Sequence, residues 1–407
     1  MFRKLFLATL ILFLPTVALT GCGTDEPENP SQVSPDNPNA PNEHKEKKVT
    51  IKADGTTSDG TFFQRIDDDT FMLNYVKYCI VNDHVEVCGY DKDEIEHSLN
   101  GQVEIYSTIE IDNKTYYVKA IGDYAFQNCT SLNEINIPYT VTSIGSYAFF
   151  KCTSLIRVNI PMGVTEIKMC AFYECSLLSN IDIPKSVKKI GRQAFGYCFS
   201  LEEINIPGSV NIIGDFAFDS CTSIKRVNIE EGVKIIGCRS FGLCSSLKEI
   251  NIPGSVSIIN EGAFFNCASL THVDIPDGVK EIRYNAFASC ENLISISLPS
   301  TLERFNKMDQ NLYSYFRDGC NYYYFKYIYI KSLIPPELEI ISSGEYSTEF
   351  MNGGIHIFVP QTAIQKYVNS IWKRIRIKWD DNNVAIIGVD TETFDFKEYL
   401  KKQGVYE

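Results

Sequence analysis

The sequence has little of what nucleic-acid binding and catalysis require. Its 407 residues carry 38 lysines and arginines against 51 acidic residues, so the formal net charge is −13 at pH 7. An acidic protein repels a phosphate backbone, and we expect no nucleic-acid partner. The five histidines are scattered, and the chain contains no C-x-x-C pair, H-E-x-x-H, G-x-S-x-G or phosphate-binding loop. We therefore predict that the protein is not an enzyme and has no metal site and no cofactor.

What the chain does have is a repeat of 23 residues that does not drift. Eight units each carry a cysteine and, three residues before it, a phenylalanine. A unit this short cannot bury its own apolar face, so successive units must stack into an elongated solenoid with a continuous core. The two columns that define the repeat are Cys129, Cys152, Cys175, Cys198, Cys221, Cys244, Cys267 and Cys290, and Phe126, Phe149, Phe172, Phe195, Phe218, Phe241, Phe264 and Phe287.

A single unit shows how the repeat is predicted to fold. The alternation Ile135-Asn136-Ile137 has period two, which directs both isoleucines to one face of a short strand and the asparagine to the other. A proline ends this strand and a second short extended segment follows. Phe149 and Cys152 then share one helical turn. Stacked strands lie about 4.8 Å apart. Each repeat is thus one rung of the stack, and each apolar position forms a ladder with its copies on the neighbouring rungs.

The ladder cysteines are predicted to be buried, reduced thiols. Parallel side chains on stacked strands keep their Cβ atoms about 4.8 Å apart, beyond the roughly 3.5 to 4.5 Å of a disulfide. A free cysteine also packs well as a small hydrophobic residue. Cys170 and Cys238 fall outside the ladder, and we expect them to be partly exposed.

Two columns point outward from the first strand of each unit. In one, acids and bases often occupy adjacent rungs and can neutralise one another; the other is mostly amides, which can hydrogen-bond along the stack. We interpret both as structural, with a ligand site as the alternative for the amide column. The charged column is Glu134, Arg157, Asn180, Glu203, Arg226, Glu249, His272 and Ser295, and the amide column is Asn136, Asn159, Asp182, Asn205, Asn228, Asn251, Asp274 and Ser297.

The full pattern, L-x-x-I-x-I-P-x-x-V-x-x-I-G-x-x-A-F-x-x-C, resembles the BspA-like leucine-rich repeats of bacterial cell-surface proteins, from about residue 118 to 305. The resemblance implies a leucine-rich-repeat solenoid, a β-rich right-handed superhelix with short helical turns, capped at both ends. Phe71–Tyr90 resembles the amino-terminal β-hairpin cap of that family, and Ile355–Pro360 resembles its closing strand. The family resemblance also implies display at the cell surface and a role in binding.

The amino-terminal residues resemble an export leader. Positive Arg3 and Lys4 precede an apolar stretch too short to span a membrane, and Leu19-Thr20-Gly21-Cys22 resembles a bacterial lipoprotein cleavage box, with Cys22 lipidated. The acids just after Cys22 resemble the surface-export signal of lipoproteins from the Bacteroides group. The predicted organisation is a signal peptide at 1–21, a disordered tether at 22–48, an N-terminal β cap at 49–120, repeats at 121–305, a degenerate repeat and C-terminal cap at 306–375, and an extension at 376–407.

Both caps carry specific predictions. A hairpin with a two-residue loop at Asp83-His84 would place Cys79 opposite Cys88, close enough for a disulfide. After Pro360, apolar residues recur at helical spacing, which predicts a helical lid. Beyond it we predict a short strand at 384–389 and a terminal helix over Thr391–Gln403.

A dense group of tyrosines near residue 320 is the candidate ligand site. Tyrosine offers rigid contact area with a polar tip and is enriched where proteins bind proteins or sugars. The alternative is that these rings cover the last rungs as part of the cap. The predicted ligand-binding residues are Tyr322, Tyr324, Tyr327 and Tyr329.

These features predict a non-catalytic, surface-exposed lipoprotein of the outer membrane, held by its lipid anchor, whose solenoid binds a macromolecule in adhesion or host-protein interaction. One alternative is a glycan-binding lipoprotein of a nutrient-uptake system, with the tyrosines as the stacking platform. Another is a structural envelope protein. The partner is thus a protein or a glycan whose identity the fold does not specify.

Overall fold

Strand pairing between successive repeats dominates the computed structural model. The structure describes residues 47–91, 101–307, 321–323, 326–338, 342–343, 346–350, 355–370 and 384–405. These belong to one unit, residues 45–407. The predicted leader, Cys22 and nearly all of the predicted tether lie outside the described residues.

The N-terminal cap is built from eight strands ahead of the repeats. They are β1 Lys48–Ile51, β2 Phe63–Arg65, β3 Thr70–Leu73, β4 Val76–Val81, β5 His84–Tyr90, β6 Gln102–Glu104, β7 Thr108–Ile111 and β8 Lys114–Ile121. Cys79 and Cys88 form a disulfide, as the sequence allowed. The predicted loop was wrong by one residue, because Asn82 adopts a left-handed φ of 55° and Val81 pairs with His84.

Each repeat contributes up to two short strands. The first segments give β9 Glu134–Asn136, β11 Arg157–Val158, β14 Glu203–Ile206, β16 Arg226–Ile229, β18 Glu249–Asn251, β20 His272–Asp274 and β22 Ser295–Leu298. The second segments give β10 Ser143–Ile144, β12 Glu166–Ile167, β13 Lys189–Ile190, β15 Ile212–Ile213, β17 Ile235–Ile236, β19 Ile258–Ile259, β21 Glu281–Arg283 and β23 Arg304–Lys307.

The second segments carry the continuous ladder. Together with seven of the N-terminal cap strands and the later strand Glu337–Leu338 they form a 16-stranded sheet that is parallel throughout the repeats. The first segments instead form separate sheets, β6-β9-β11, β14-β16-β18 and a third that begins with β20-β22. A side chain replaces backbone pairing at one such place: the Asn159 amide donates to the Ile137 carbonyl at 2.7 Å and accepts from its N–H at 2.8 Å.

The outer side of each rung is a series of turns rather than a helix. The N–H of Cys152 donates to the carbonyl of Phe149 at 3.1 Å, but Tyr147 and Lys151 have left-handed φ angles of 58° and 59°. These angles interrupt a helix and turn alternate N–H groups toward the next rung. The N–H of Phe149, for example, donates to the Ala171 carbonyl at 2.8 Å.

The core is a stack of identical side chains, as predicted. All eight ladder phenylalanines are buried, with neighbouring ring centroids 5.2 to 5.5 Å apart and ring planes within 12° of parallel. The eight ladder cysteines are buried beside them. Burying aromatic and aliphatic columns along the whole stack supplies the main driving force for folding.

In the described residues of the C-terminal part, strands and two short helices close the stack. Its strands are β24 Asn321–Tyr323, β25 Tyr327–Ile330, β26 Glu337–Leu338, β27 Ser342–Ser343, β28 Tyr346–Phe350, β29 Ile355–Pro360 and β30 Val384–Val389. A 3-10 turn at Gln361–Ala363 leads into α1, Ile364–Val368, and α2 covers Phe396–Lys402. The predicted strand is therefore confirmed. The predicted terminal helix is shorter than expected because Asp395 caps it, accepting from the N–H of Glu398 at 2.9 Å.

Within the described ranges, no helix has the length and apolar content needed to cross a bilayer.

Candidate functional site

The ladder cysteines form hydrogen bonds inside the solenoid. Seven of them, from Cys152 to Cys290, donate to the carbonyl of the phenylalanine on the preceding rung at 3.1 to 3.3 Å. Burial raises the pKa of the Cys198 thiol to about 12. Because the thiolate is the reactive form, this shift makes the Cys198 thiol unreactive near neutral pH.

The two cysteines outside the ladder are also buried, and the expectation of partial exposure was wrong. Cys170 is 3% exposed and Cys238 is 2% exposed. Side chains on the neighbouring rung account for this at Cys170, whose thiol lies 3.8 Å from Oε1 of Gln193. Burial raises the pKa of both thiols.

Part of the outward charged column satisfies itself through ion pairs between rungs. The Arg226 guanidinium lies 3.8 Å from the Glu203 carboxylate and 3.4 Å from that of Glu249. Such exposed pairs contribute little to stability. In the amide column, Asn251 donates to Asn228 at 3.4 Å.

A row of aromatic side chains crosses the outer turns of the first rungs. We call it the aromatic stripe; it consists of Tyr124, Tyr147, Phe150, Tyr173, Tyr197 and Phe199. Neighbouring ring centroids are 5.0 to 5.9 Å apart along the whole row. Two of its contacts, Tyr124 with Tyr147 and Phe150 with Tyr173, are parallel stacks. The ends of the row are open to solvent, with Tyr124 53% and Phe199 41% exposed.

The fold does not require aromatic residues at these positions, and the repeat itself supplies the comparison. The position of Phe150 is occupied by Gly196, Asp219 and Ala288 on later rungs with the same backbone turn. Exposed aromatic groups that packing does not demand are typical of binding surfaces. The aromatic stripe is therefore a candidate protein-binding surface.

A second surface lies at the other end of the repeats. A groove of about 1130 Å³ separates the outward faces of β18, β20 and β22 from the segment 392–405. We call it the C-terminal groove. Within it, Nδ1 of His272 lies 2.5 Å from Oγ of Ser295, and the Lys331 ammonium lies 3.4 Å from the Asp274 carboxylate. Burial lowers the pKa of His272, although a hydrogen bond to the backbone of Val405 opposes that shift.

The predicted tyrosine site is only partly described. Tyr327 and Tyr329 are 6% and 7% exposed, because the C-terminal segment covers them; Tyr329 contacts the rings of Phe394 and Phe396, each at 5.4 Å. In this arrangement neither ring is open to a ligand, so the expectation that these two form an exposed platform was wrong. Tyr324 and the side chain of Tyr322 lie outside the described residues.

No group of three or more histidine, cysteine or acidic residues is placed to hold a metal in the part of the chain that the structure describes.

Sequence reasoning missed both surfaces for different reasons. The aromatic stripe has a signal in the repeat alignment, since Tyr124 and Tyr147 share one non-core column and Phe150 and Tyr173 share another, although Phe216 and Phe265 occupy these columns on later rungs. It runs diagonally across columns, so no single column shows it. The C-terminal groove has no such signal, because it depends on how the segment after β30 packs back on the strands.

Comparison with known proteins gives a family and a set of similar folds. A family model described as a BspA type leucine rich repeat region, with six copies, matches residues 103–225 and 211–315, which together exceed half of the chain. No curated protein matches the chain by sequence.

Solved structures of other leucine-rich repeat proteins are similar to it. One from Bacteroides ovatus is 22% identical, with 78% of this chain and 99% of that chain covered and a TM-score of 0.48. One from T. pallidum is 32% identical over 48% of this chain and 88% of that chain, with a TM-score of 0.42. A leucine rich cell surface protein from Faecalibacterium prausnitzii is 21% identical over 61% and 97%, with a TM-score of 0.27.

Proposed function

The chain belongs to the family of BspA-type leucine-rich repeat proteins. We infer from this membership that it is a non-catalytic surface lipoprotein. We propose that it binds a protein partner through the aromatic stripe. Proteins of this repeat type are generally surface or interaction proteins. The observation that carries the proposal is a continuous row of six contacting rings, exposed at both ends, that includes a column in which other repeats carry glycine, aspartate and alanine.

The geometry of the stripe favours a protein over a sugar at this surface. Where rings are stacked in parallel, as Tyr124 is on Tyr147, their faces cover one another and mainly their edges remain for a partner. Sugar rings stack on open aromatic faces, whereas ring edges carry positive partial charge and suit carbonyl oxygens and other aromatic faces of a protein. Tyrosine is also among the residues that dominate protein-binding energies.

The attachment to the cell surface rests on Cys22. We propose that this cysteine is lipidated and that the acidic, proline-rich residues behind it hold the solenoid away from the membrane. A flexible tether of this length, 22–48, has an end-to-end distance of roughly 27 Å. The Cys22→Ser variant should lose the lipid, seen as a mass difference of the mature protein, and should leave the membrane fraction.

Surface plasmon resonance with a panel of immobilised extracellular-matrix proteins tests the binding proposal. The probe is the mature protein beginning after the leader. The triple variant Tyr124→Ser, Tyr173→Ser, Phe199→Ser should lose at least about 30-fold in affinity for the matrix protein that binds best, since hot-spot aromatic residues contribute about 2 kcal/mol or more each.

A matched control removes three other exposed apolar side chains. Phe62, Tyr139 and Met162 are 45%, 47% and 70% exposed and lie outside the stripe. Their serine variant should bind like the wild type, with circular dichroism showing that both variants are folded. Equal loss in both variants would point to nonspecific adhesion, and absence of binding to every matrix protein would favour the structural envelope role.

A further inference from the structure

The floor of the C-terminal groove lies where the ladder of first-segment strands is interrupted. β18 and β20 come from adjacent rungs but belong to different sheets, whereas β16 and β18 pair directly. Ile250 on β18 is partly exposed, although Ile204 and Val227 at the same position on β14 and β16 are buried. The break therefore opens the floor and presents strand edges, which supply backbone donors and acceptors.

The side chains of the floor are dense in hydrogen-bonding groups. Thr271 supplies an exposed hydroxyl, and Glu249 and Asp274 supply exposed carboxylates. His272 lies beside them and is held in place by contacts with Ser295, at 2.5 Å, and with the backbone of Val405, so it positions the floor. This set of groups matches a ligand made of hydroxyl groups.

One wall is aromatic and held rigidly. Phe394 is partly exposed at the groove and packs against Tyr329 and Phe358, both at 5.4 Å between centroids. The volume of about 1130 Å³ exceeds the roughly 300 to 1,000 Å³ of small-molecule sites. A short chain of several sugar units would fill it, with its apolar ring faces against the aromatic wall.

The charges of the lining exclude a strongly charged ligand. The groove is lined by three lysines and four acidic residues, so the two signs nearly balance. A polyanion such as a sulfated glycan needs a cluster of unpaired cations, and here Lys331 is already 3.4 Å from Asp274.

We infer that the C-terminal groove is a second binding site, specific for a neutral oligosaccharide of several units. It goes beyond the proposed protein-binding function, because it uses a different surface and a different class of ligand. Its floor comes from the repeats and its wall from the segment after β30, so the repeats alone do not form it.

An array of neutral oligosaccharides built from glucose, mannose, galactose and N-acetylglucosamine, with heparin and hyaluronan as charged probes, tests this inference on the mature protein. Calorimetry then measures the affinity of the best neutral binder. Glu249→Gln and Asp274→Asn, at exposed side chains, should each weaken that affinity at least about tenfold.

The repeat provides isosteric controls at the same positions on earlier rungs. Glu203→Gln and Asp182→Asn change the same columns outside the groove and should leave the affinity unchanged. The triple stripe variant should also keep oligosaccharide binding, and the groove variants should keep matrix-protein binding, which separates this inference from the proposed function. Absence of any neutral binder, a preference for heparin, or equal affinity in groove and control variants would overturn it.

Discussion

Replacing Phe218 with alanine should destabilise the protein by about 3 to 5 kcal/mol. The ring is fully buried between Phe195 and Phe241, at centroid distances of 5.2 and 5.3 Å. The substitution removes its buried apolar area and two stacking contacts, each contributing about 0.5 to 1.5 kcal/mol. Backbone hydrogen bonds fix the neighbouring rungs on both sides, such as Phe218 N–H to the Ser240 carbonyl at 2.7 Å, so the cavity cannot close.

A double-mutant cycle separates the ladder from ordinary burial. In the pair Phe218→Ala and Phe241→Ala, the second substitution removes a ring that has already lost a neighbour. The double variant should therefore cost less than the sum of the singles, by about 0.5 to 3 kcal/mol. Phe218→Ala combined with Phe149→Ala, three rungs away, should be additive within about 0.5 kcal/mol.

Urea unfolding followed by circular dichroism measures these free energies. A single-substitution cost below about 1 kcal/mol, or the same coupling in the adjacent and the distant pair, would refute the assignment of Phe218 to a contiguous stack.

Other consequences of the structure can be checked with the same unfolding assay. Cys198→Ala should cost about 1 kcal/mol more than Cys198→Ser, because serine keeps a donor for the Phe172 carbonyl; equal costs would mean that the thiol hydrogen bond contributes nothing. Burial raises the pKa of Cys198 from 9.0 to about 12, so the folded protein retains a proton that the unfolded chain releases. The contribution of Cys198 to the free energy of unfolding should thus be constant below pH 9 and be lost between pH 9 and 12, so the Cys198→Ala variant should show a smaller fall of the urea midpoint over that range. Replacing Cys79 and Cys88 by serine should lower stability by about 2 to 3 kcal/mol, as the loop-closure entropy of a loop of this size predicts, and an unchanged melting temperature would contradict that.

The sequence determined the repeat architecture because each apolar column recurs with the same period. We could predict the stacking of Phe126 through Phe287 and the burial of the ladder cysteines, because both follow once successive repeats have the same backbone shape. Features that depend on interactions between rungs were not predicted. The continuous ladder is carried by the second of the two extended segments. This choice depends on backbone hydrogen bonds, which side-chain periodicity does not encode, and on the proline at the end of the first segment.

The binding surfaces were harder to predict for a related reason. Tyr327 and Tyr329 stood out by composition, but their exposure depended on the segment beyond β30, whose packing on them could not be read from local pattern. Tyr147 and Phe150 of the stripe fall in different columns of one rung, and their contact at 5.4 Å joins the pair Tyr124–Tyr147 to the pair Phe150–Tyr173. Core positions can thus be predicted from periodicity, whereas surface sites depend on how distant segments pack together.

The most direct test of the proposed division between a cohesive interior and a binding exterior is adhesion of intact cells that display the protein. Cells carrying the wild type or the triple variant Tyr124→Ser, Tyr173→Ser, Phe199→Ser are compared on a surface coated with the matrix protein that binds the purified wild type, with the displayed amount equalised by antibody staining. We predict that the variant is displayed normally and that adhesion is lost. Adhesion of the variant at the wild-type level would contradict the proposal that the aromatic stripe is the binding surface.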